Sequence, residues 1–141
     1  MDVGSQKLDP SLAKLTSRDF NMIQSYQDLD VYKRSYKLAM DIFWKCQDFP
    51  QKERYSLTSQ IIRSSRSISA NITEGWAKRK YENQFKLHLI HSLGSNAETE
   101  NWIHFANDCG YLTKKEAEGF INRIEVIGKM LTKLHQNWQT Y

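Results

Sequence analysis

At 141 residues, 40% hydrophobic and 26% charged, the chain has the size and composition of one soluble domain that can bury a core without disulfides or metals. Pro occurs twice and Gly six times, which argues against a loop-rich or all-β design, and no apolar run of about 18 residues is present to span a membrane. The net charge is only +4, so its placement says more than its size.

Residues 1–27 carry the least pattern. Leu12, Leu15, Phe20 and Ile23 allow a short helix over 11–23, and an N-terminal arm outside the domain fits equally. The opening stretch lacks the apolar centre of a signal peptide, which predicts a cytoplasmic protein. From 28 to 141 the helical period is strong and predicts a single bundle domain. Asp30 is the expected N-cap of a first helix ending near Asp48. Its stripe is Val31, Ser35, Leu38, Ala39, Ile42, Phe43 and Cys46, and Phe49-Pro50 stops it. A second helix is predicted from Lys52 to Glu74 on Tyr55, Thr58, Ile61, Ile62, Ser65, Ile68 and Ile72. Its small residues (Ser64, Ser65, Ser67, Ser69, Ala70) suit close helix approach, and Gly75 is the expected stop.

A third helix is predicted from Lys80 to Asp108 along Phe85, Leu89, Leu93, Ala97, Glu100, Ile103 and Asn107, with Gly94 inside it and Gly110 closing it. Its run from Ser95 to Asn101 is polar on nearly every side, which fits a subunit contact, a central channel or a solvent face. The fourth helix starts at a capping box, Thr113-Lys114-Lys115-Glu116. It continues through Ala117, Phe120, Ile121, Ile124, Ile127, Leu131, Leu134 and Trp138. Short connections force antiparallel neighbours, so the expected fold is an all-α, up-down-up-down four-helix bundle.

The charge is uneven. Residues 1–27 and 28–50 each sum to zero and 95–141 sum to −1, whereas 51–94 carry eight basic and three acidic side chains, +5. Two groups stand out there. Arg63 and Arg66 lie one turn apart on the second helix. Lys78, Arg79 and Lys80 fill the following loop between Trp76 and Tyr81, with Lys86 beyond. Cations displace phosphate counterions and adjacent aromatics stack on bases, so these six are the candidate nucleic-acid contacts. The competing account is solvated charge, or pairing with a neighbouring subunit. Asn71, Glu74 and Gly75 are read as helix-end residues that satisfy terminal carbonyls or hold the loop.

Several segments resemble one family: Asp28-Leu-Asp-Val-Tyr32, Phe49-Pro50, Leu57-Thr-Ser-Gln-Ile-Ile-Arg63, Ser67-Ile-Ser-Ala-Asn-Ile-Thr-Glu-Gly75, Gly94-Ser95 and Gly110-Tyr111-Leu112. They are similar to the 23S rRNA intervening-sequence proteins over about residues 28–135. The most specific block is S-I-x-x-N-I-x-E-G, although Ser69 stands where the family usually has Pro and Thr73 where it commonly has Ala. The resemblance implies a bundle protomer assembled into a ring, commonly a pentamer, with a basic surface. Related accessory proteins of diversity-generating retroelements work with a reverse transcriptase.

His88 and His91 have a spacing that two metal ligands can share, but no third ligand is evident, so no metal is expected. The chain shows no nucleophile elbow, phosphate loop or zinc signature, so neither enzyme chemistry nor a cofactor is expected. Cys46 and Cys109 read as small buried hydrophobes of a reducing compartment. Aromatics make up 12% of the chain, more than one bundle buries. Tyr32, Tyr36, Trp44, Tyr55, Trp76, Trp102, Trp138 and Tyr141 therefore predict subunit interfaces. Taken together, the residues predict a cytoplasmic, non-enzymatic homo-oligomer that binds RNA or DNA, and the resemblance implies that it is ring-shaped. The alternative is a scaffold docking an acidic partner protein such as a reverse transcriptase.

Overall fold

A computed structural model describes residues 23–138, and their regular structure is wholly helical. Four long helices form the expected bundle: α1 (Asp30–Cys46), α2 (Leu57–Ala77), α3 (Glu82–Asp108) and α4 (Lys114–Asn137), with short 3₁₀ turns at Tyr26–Asp28 and Gln51–Glu53. α2 packs on α1 and most extensively on α3, and α4 packs on α3. α1 meets α4 only thinly and makes no close backbone approach to α3, so α1 and α3 occupy opposite corners.

The domain begins earlier than expected. Ile23 and Leu29 are buried, and a capping box between Ser25 and Asp28 fixes the turn that leads into α1. Residues 23–27 therefore belong to the fold, while the rest of the expected arm and the helix over 11–23 lie outside the described residues. Leu29, not Asp30, is the N-cap of α1, and the Asp30 carboxylate instead accepts from Arg34 Nε at 2.7 Å. α2 starts at Leu57 because Glu53 intercepts its first turn, its Oε1 accepting from Ser56 Oγ at 2.6 Å and the Leu57 amide at 3.4 Å. Tyr55, expected in the core, is exposed as a result. Gly110 does close α3, with φ +81°. The capping box at α4 forms in both directions, Glu116 N to Thr113 Oγ1 at 3.1 Å and Thr113 N to Glu116 Oε1 at 2.8 Å.

The largest departures lie where α2 meets α3. Gly75 is no helix stop, for α2 runs on to Ala77. It is a point of close approach: a Cβ there would sit 2.8 Å from His88 Cβ and 3.2 Å from Phe85 Cδ1. Two turns earlier the seam is polar. Thr99 Oγ1 lies 2.9 Å from Ser64 Oγ, Ser95 Oγ donates to Ser67 Oγ at 2.8 Å, and Ser92 Oγ donates to the Ile68 carbonyl at 2.8 Å. The inner face of α3 is therefore Phe85, Leu89, Ser92, Asn96, Thr99, Ile103 and Ala106, at alternating steps of four and three. The expected stripe through Leu93, Ala97 and Glu100 is wrong, because a chain of i+4 steps drifts off one helix face. Asn96 and Thr99 line neither channel nor solvent. They are buried within the protomer, and Asn96 Nδ2 donates to the Ile124 carbonyl of α4 at 2.9 Å.

His88 is buried at the end of this seam. Its Nδ1 faces Asn71 Oδ1 at 3.2 Å and its Nε2 faces Lys78 Nζ at 3.1 Å. This pairing requires a neutral imidazole with Nδ1 donating and Nε2 accepting. Burial, then the Lys78 ammonium and His91, hold its pKa below the ordinary value against the opposing pull of Glu74. A histidine with a lowered folded-state pKa stabilises the fold above its unfolded pKa and loses that contribution as pH falls.

Gly75→Ala should destabilise the protein by about 1–3 kcal/mol in urea unfolding through overpacking. Gly119→Ala, where a Cβ meets nothing within 4 Å, should instead be neutral or stabilising by up to about 1 kcal/mol; equal effects would contradict the close approach. Between neutrality and about pH 5, wild type should lose more unfolding free energy than His88→Gln. Parallel pH profiles for the two proteins would show that the imidazole does not titrate in coupling with folding.

Candidate nucleic-acid interface

The six predicted cations do not form one patch. Arg63 and Arg66 are exposed on the outer face of α2, and the 12 residues from Arg66 to Lys78 place the loop about 18 Å further along the axis. Arg66 lies over the Phe43 ring of α1, 5.4 Å from its centroid. Among the described residues Arg63 makes no ion pair or hydrogen bond. These two arginines are a mid-bundle pair, separate from the loop.

Lys78, Arg79, Lys80 and Lys86 gather at one end of the bundle, where α2 finishes and α3 starts. Lys78 contacts His88 across this end. Arg79 stacks on Trp76, 4.4 Å from the ring centroid, and donates from Nη1 to the Trp76 carbonyl at 3.0 Å. Lys80 is exposed and forms no ion pair among the described residues. Lys86 pairs with Glu82 at 3.4 Å. Trp76 cannot stack on a base as expected, since it is buried against Trp138 and Phe85. Tyr81 is 71% exposed, which leaves it as the aromatic of this end with a free face.

Asn71, Glu74 and Gly75 lie inside the last two turns of α2. Asn71 Nδ2 donates to the Ser67 carbonyl at 3.0 Å while its Oδ1 meets His88, and Glu74 Oε2 approaches His88 Nδ1 at 3.9 Å. They hold α3 against α2. With both His88 nitrogens engaged and His91 exposed, the histidine pair offers no shared metal position, and no group of three His, Cys, Asp or Glu able to hold a metal occurs among the described residues.

The fold adds cations that the segment charges hid. The C-terminal half of α4 ends beside the 78–86 region, because alternate helices run the same way. Lys129 and Lys133 line an open groove of about 520 Å³ between α3 and α4, with Leu93, Glu125, Thr132 and Gln136. Lys86 lies on the same flank of α3, two turns from Leu93. A second groove of about 410 Å³ separates α1 from α4, lined by Lys33, Arg34, Lys37, Asn122 and Arg123 over Val126 and Ile127. Its cations are largely committed: Arg34 to Asp30, and Lys37 and Arg123 to Asp41 at 2.8 and 2.9 Å. These two bonds hold the Asp41 carboxyl below its ordinary pKa although partial burial opposes them. The signal for Lys129 and Lys133 was present in the sequence once up-down topology is drawn, for it sums charge by bundle end.

Cys46 is buried and its thiol is pushed up to about 12 by desolvation, whereas Cys109, expected buried, is exposed. Among the described residues no helix is long and apolar enough to cross a membrane.

Comparison with known proteins agrees with the fold. The family model of the 23S rRNA-intervening sequence protein matches residues 27–133. A crystal structure of a protein with unknown function from the S23 ribosomal protein family of Bacteroides thetaiotaomicron VPI-5482 superposes with a TM-score of 0.69 at 26% identity, covering 75% of this chain and 95% of that one. No curated protein matches the sequence. The match from the 3₁₀ turn before α1 to the last turns of α4 spans the whole bundle, and the chain belongs to the 23S rRNA-intervening sequence protein family.

Proposed function

We propose that this protein is a non-enzymatic, ring-shaped homo-oligomer of the cytoplasm that binds RNA or DNA through the basic end of each bundle. The observation that carries the reading is the gathering of Lys78, Arg79, Lys80 and Lys86 with the α4 lysines Lys129 and Lys133 around one end and its adjoining groove, beside the exposed ring of Tyr81. Guanidinium and ammonium groups at that end exchange counterions for phosphates, and Tyr81 offers a stacking surface to an unpaired base. The family's name ties its members to ribosomal RNA genes, which supports nucleic acid as the ligand. Each subunit contributes a modest charge, so assembly raises a weak single-site affinity by multivalency; five subunits is the number the family resemblance suggests.

Binding of a fluorescent single-stranded RNA or DNA, titrated with salt, tests this. The variant Lys80→Ala/Lys86→Ala/Lys133→Ala should weaken binding at low salt by at least about tenfold and flatten the salt slope by roughly one for each phosphate that is no longer neutralised. Arg63→Ala/Arg66→Ala should change the slope less. No binding by wild type at low salt would overturn the proposal, and capture of an acidic partner protein in its place would establish the scaffold alternative.

A further inference from the structure

α3 has two apolar faces, and only one is used within the protomer. Opposite its buried seam, Leu87, Ile90, Gly94, Ala97, Asn101 and Phe105 recur at steps of three and four. Leu87, Ile90 and Phe105 are 44%, 51% and 52% exposed. Gly94 sits mid-helix on this face, and a Cβ built there meets nothing within 4 Å, unlike those of Gly75 and Gly128. A helix-interior glycine costs about 1 kcal/mol relative to Ala, and no contact within the protomer explains it.

The complementary surface is on the same chain. On the outside of α1, Tyr36 and Trp44 are 53% and 62% exposed, with half-buried Met40 between them. α1 and α3 are at opposite corners with no close backbone approach, and both stripes face outward, so they cannot meet within one subunit. Their shapes match as knob and hole: large aromatics on α1, Gly94 and Ala97 at the middle of the α3 stripe. Their charges match as well. Exposed Lys33, which forms no ion pair among the described residues, lies beside the α1 stripe, and exposed Glu98 and Asp108 lie beside that of α3. Two different patches on opposite sides of one molecule give a heterologous, head-to-tail contact, which closes into a ring when the rotation allows.

We propose that the outer face of α3 receives the outer face of α1 from a second copy of this chain, with Trp44 and Tyr36 seated over Gly94 and Ala97. This rests on the homo-oligomer reading above and names the surfaces that build it.

Cysteine cross-linking in a Cys109→Ser background tests it, since Cys109 is exposed and Cys46 buried. Trp44→Cys and Ala97→Cys chains, co-expressed with different tags and treated with a bismaleimide, should cross-link to each other. Neither variant should cross-link to itself. A chain carrying both substitutions should give a ladder that ends at the subunit number of the ring. Independently, Ala97→Glu should keep its helical circular dichroism while raising the concentration at which light scattering detects dissociation by at least about tenfold. Self-cross-linking of Ala97→Cys, or no cross-link in an oligomer that persists, would overturn the α1–α3 contact and leave the oligomer standing. Wild type that scatters as a monomer would overturn both.

Discussion

The bundle depends on how closely α2 approaches α3. At Gly75 the two helices leave no room for a methyl group. Along the turns before it, the side chains between them are Ser64, Ser67, Ser92, Ser95 and Thr99, joined by hydroxyl bonds of 2.8–2.9 Å. Small side chains permit that distance, and the distance in turn desolvates their hydroxyls. Each buried hydroxyl must then find its partner or incur the cost of an unsatisfied polar group. The seam therefore specifies the axial register of α3 more sharply than a leucine seam would, since a slip of one residue breaks every pair together. The S-I-x-x-N-I-x-E-G block is the α2 half of this contact. Ser67, Asn71 and Gly75 meet α3, while Ile68 and Ile72 enter the core.

Polarity inside α3 has a consequence outside it. With Ser92, Asn96 and Thr99 turned inward and Leu87, Ile90 and Phe105 outward, the helix has little contrast between its faces, although it is fully ordered by its neighbours. α1 and α4 were legible because their core positions are almost all apolar, and every residue of the expected α4 stripe is at least half-buried in the bundle. α3 resisted the same reading because the middle of its inner face, Ser92, Asn96 and Thr99, is polar. A pattern search that equates burial with hydrophobicity follows the wrong line down such a helix, and does so most where the packing is tightest.

Gly75 and Trp76 illustrate a related limit. A glycine near the end of a helical run has two readings, a left-handed cap or a close approach. Only the identity of the neighbouring helix, here His88 and Phe85 of α3, separates them. Trp76 next to a basic loop looks like a stacking platform, but Trp138 and Phe85, from distant parts of the chain, bury it and leave Arg79 to cover its face. The positions of Lys78–Lys80 and Lys86 were readable from sequence; their commitments to His88, Trp76 and Glu82 were not, because each partner is set by the fold or by a side-chain conformation.

The surplus of aromatics resolves into two populations, and this connects the fold to the proposed assembly. Trp76 and Trp138 complete the core, while Tyr36 and Trp44 leave more than half of their surface in water. Exposed tryptophan on a helix that faces no neighbour is the residue type that most often anchors an interface. In a ring closed through the outer faces of α1 and α3, the corners taken by assembly are those two. The outer face of α2 with Arg63 and Arg66, the α4 lysines and the basic end all stay open to solvent. Head-to-tail contact repeats one orientation around the ring, so every subunit turns its Lys78–Lys86 region toward the same face. In such a ring the apolar and basic surfaces would divide the work: one would set how many copies are held, and the other would sum its charge over them.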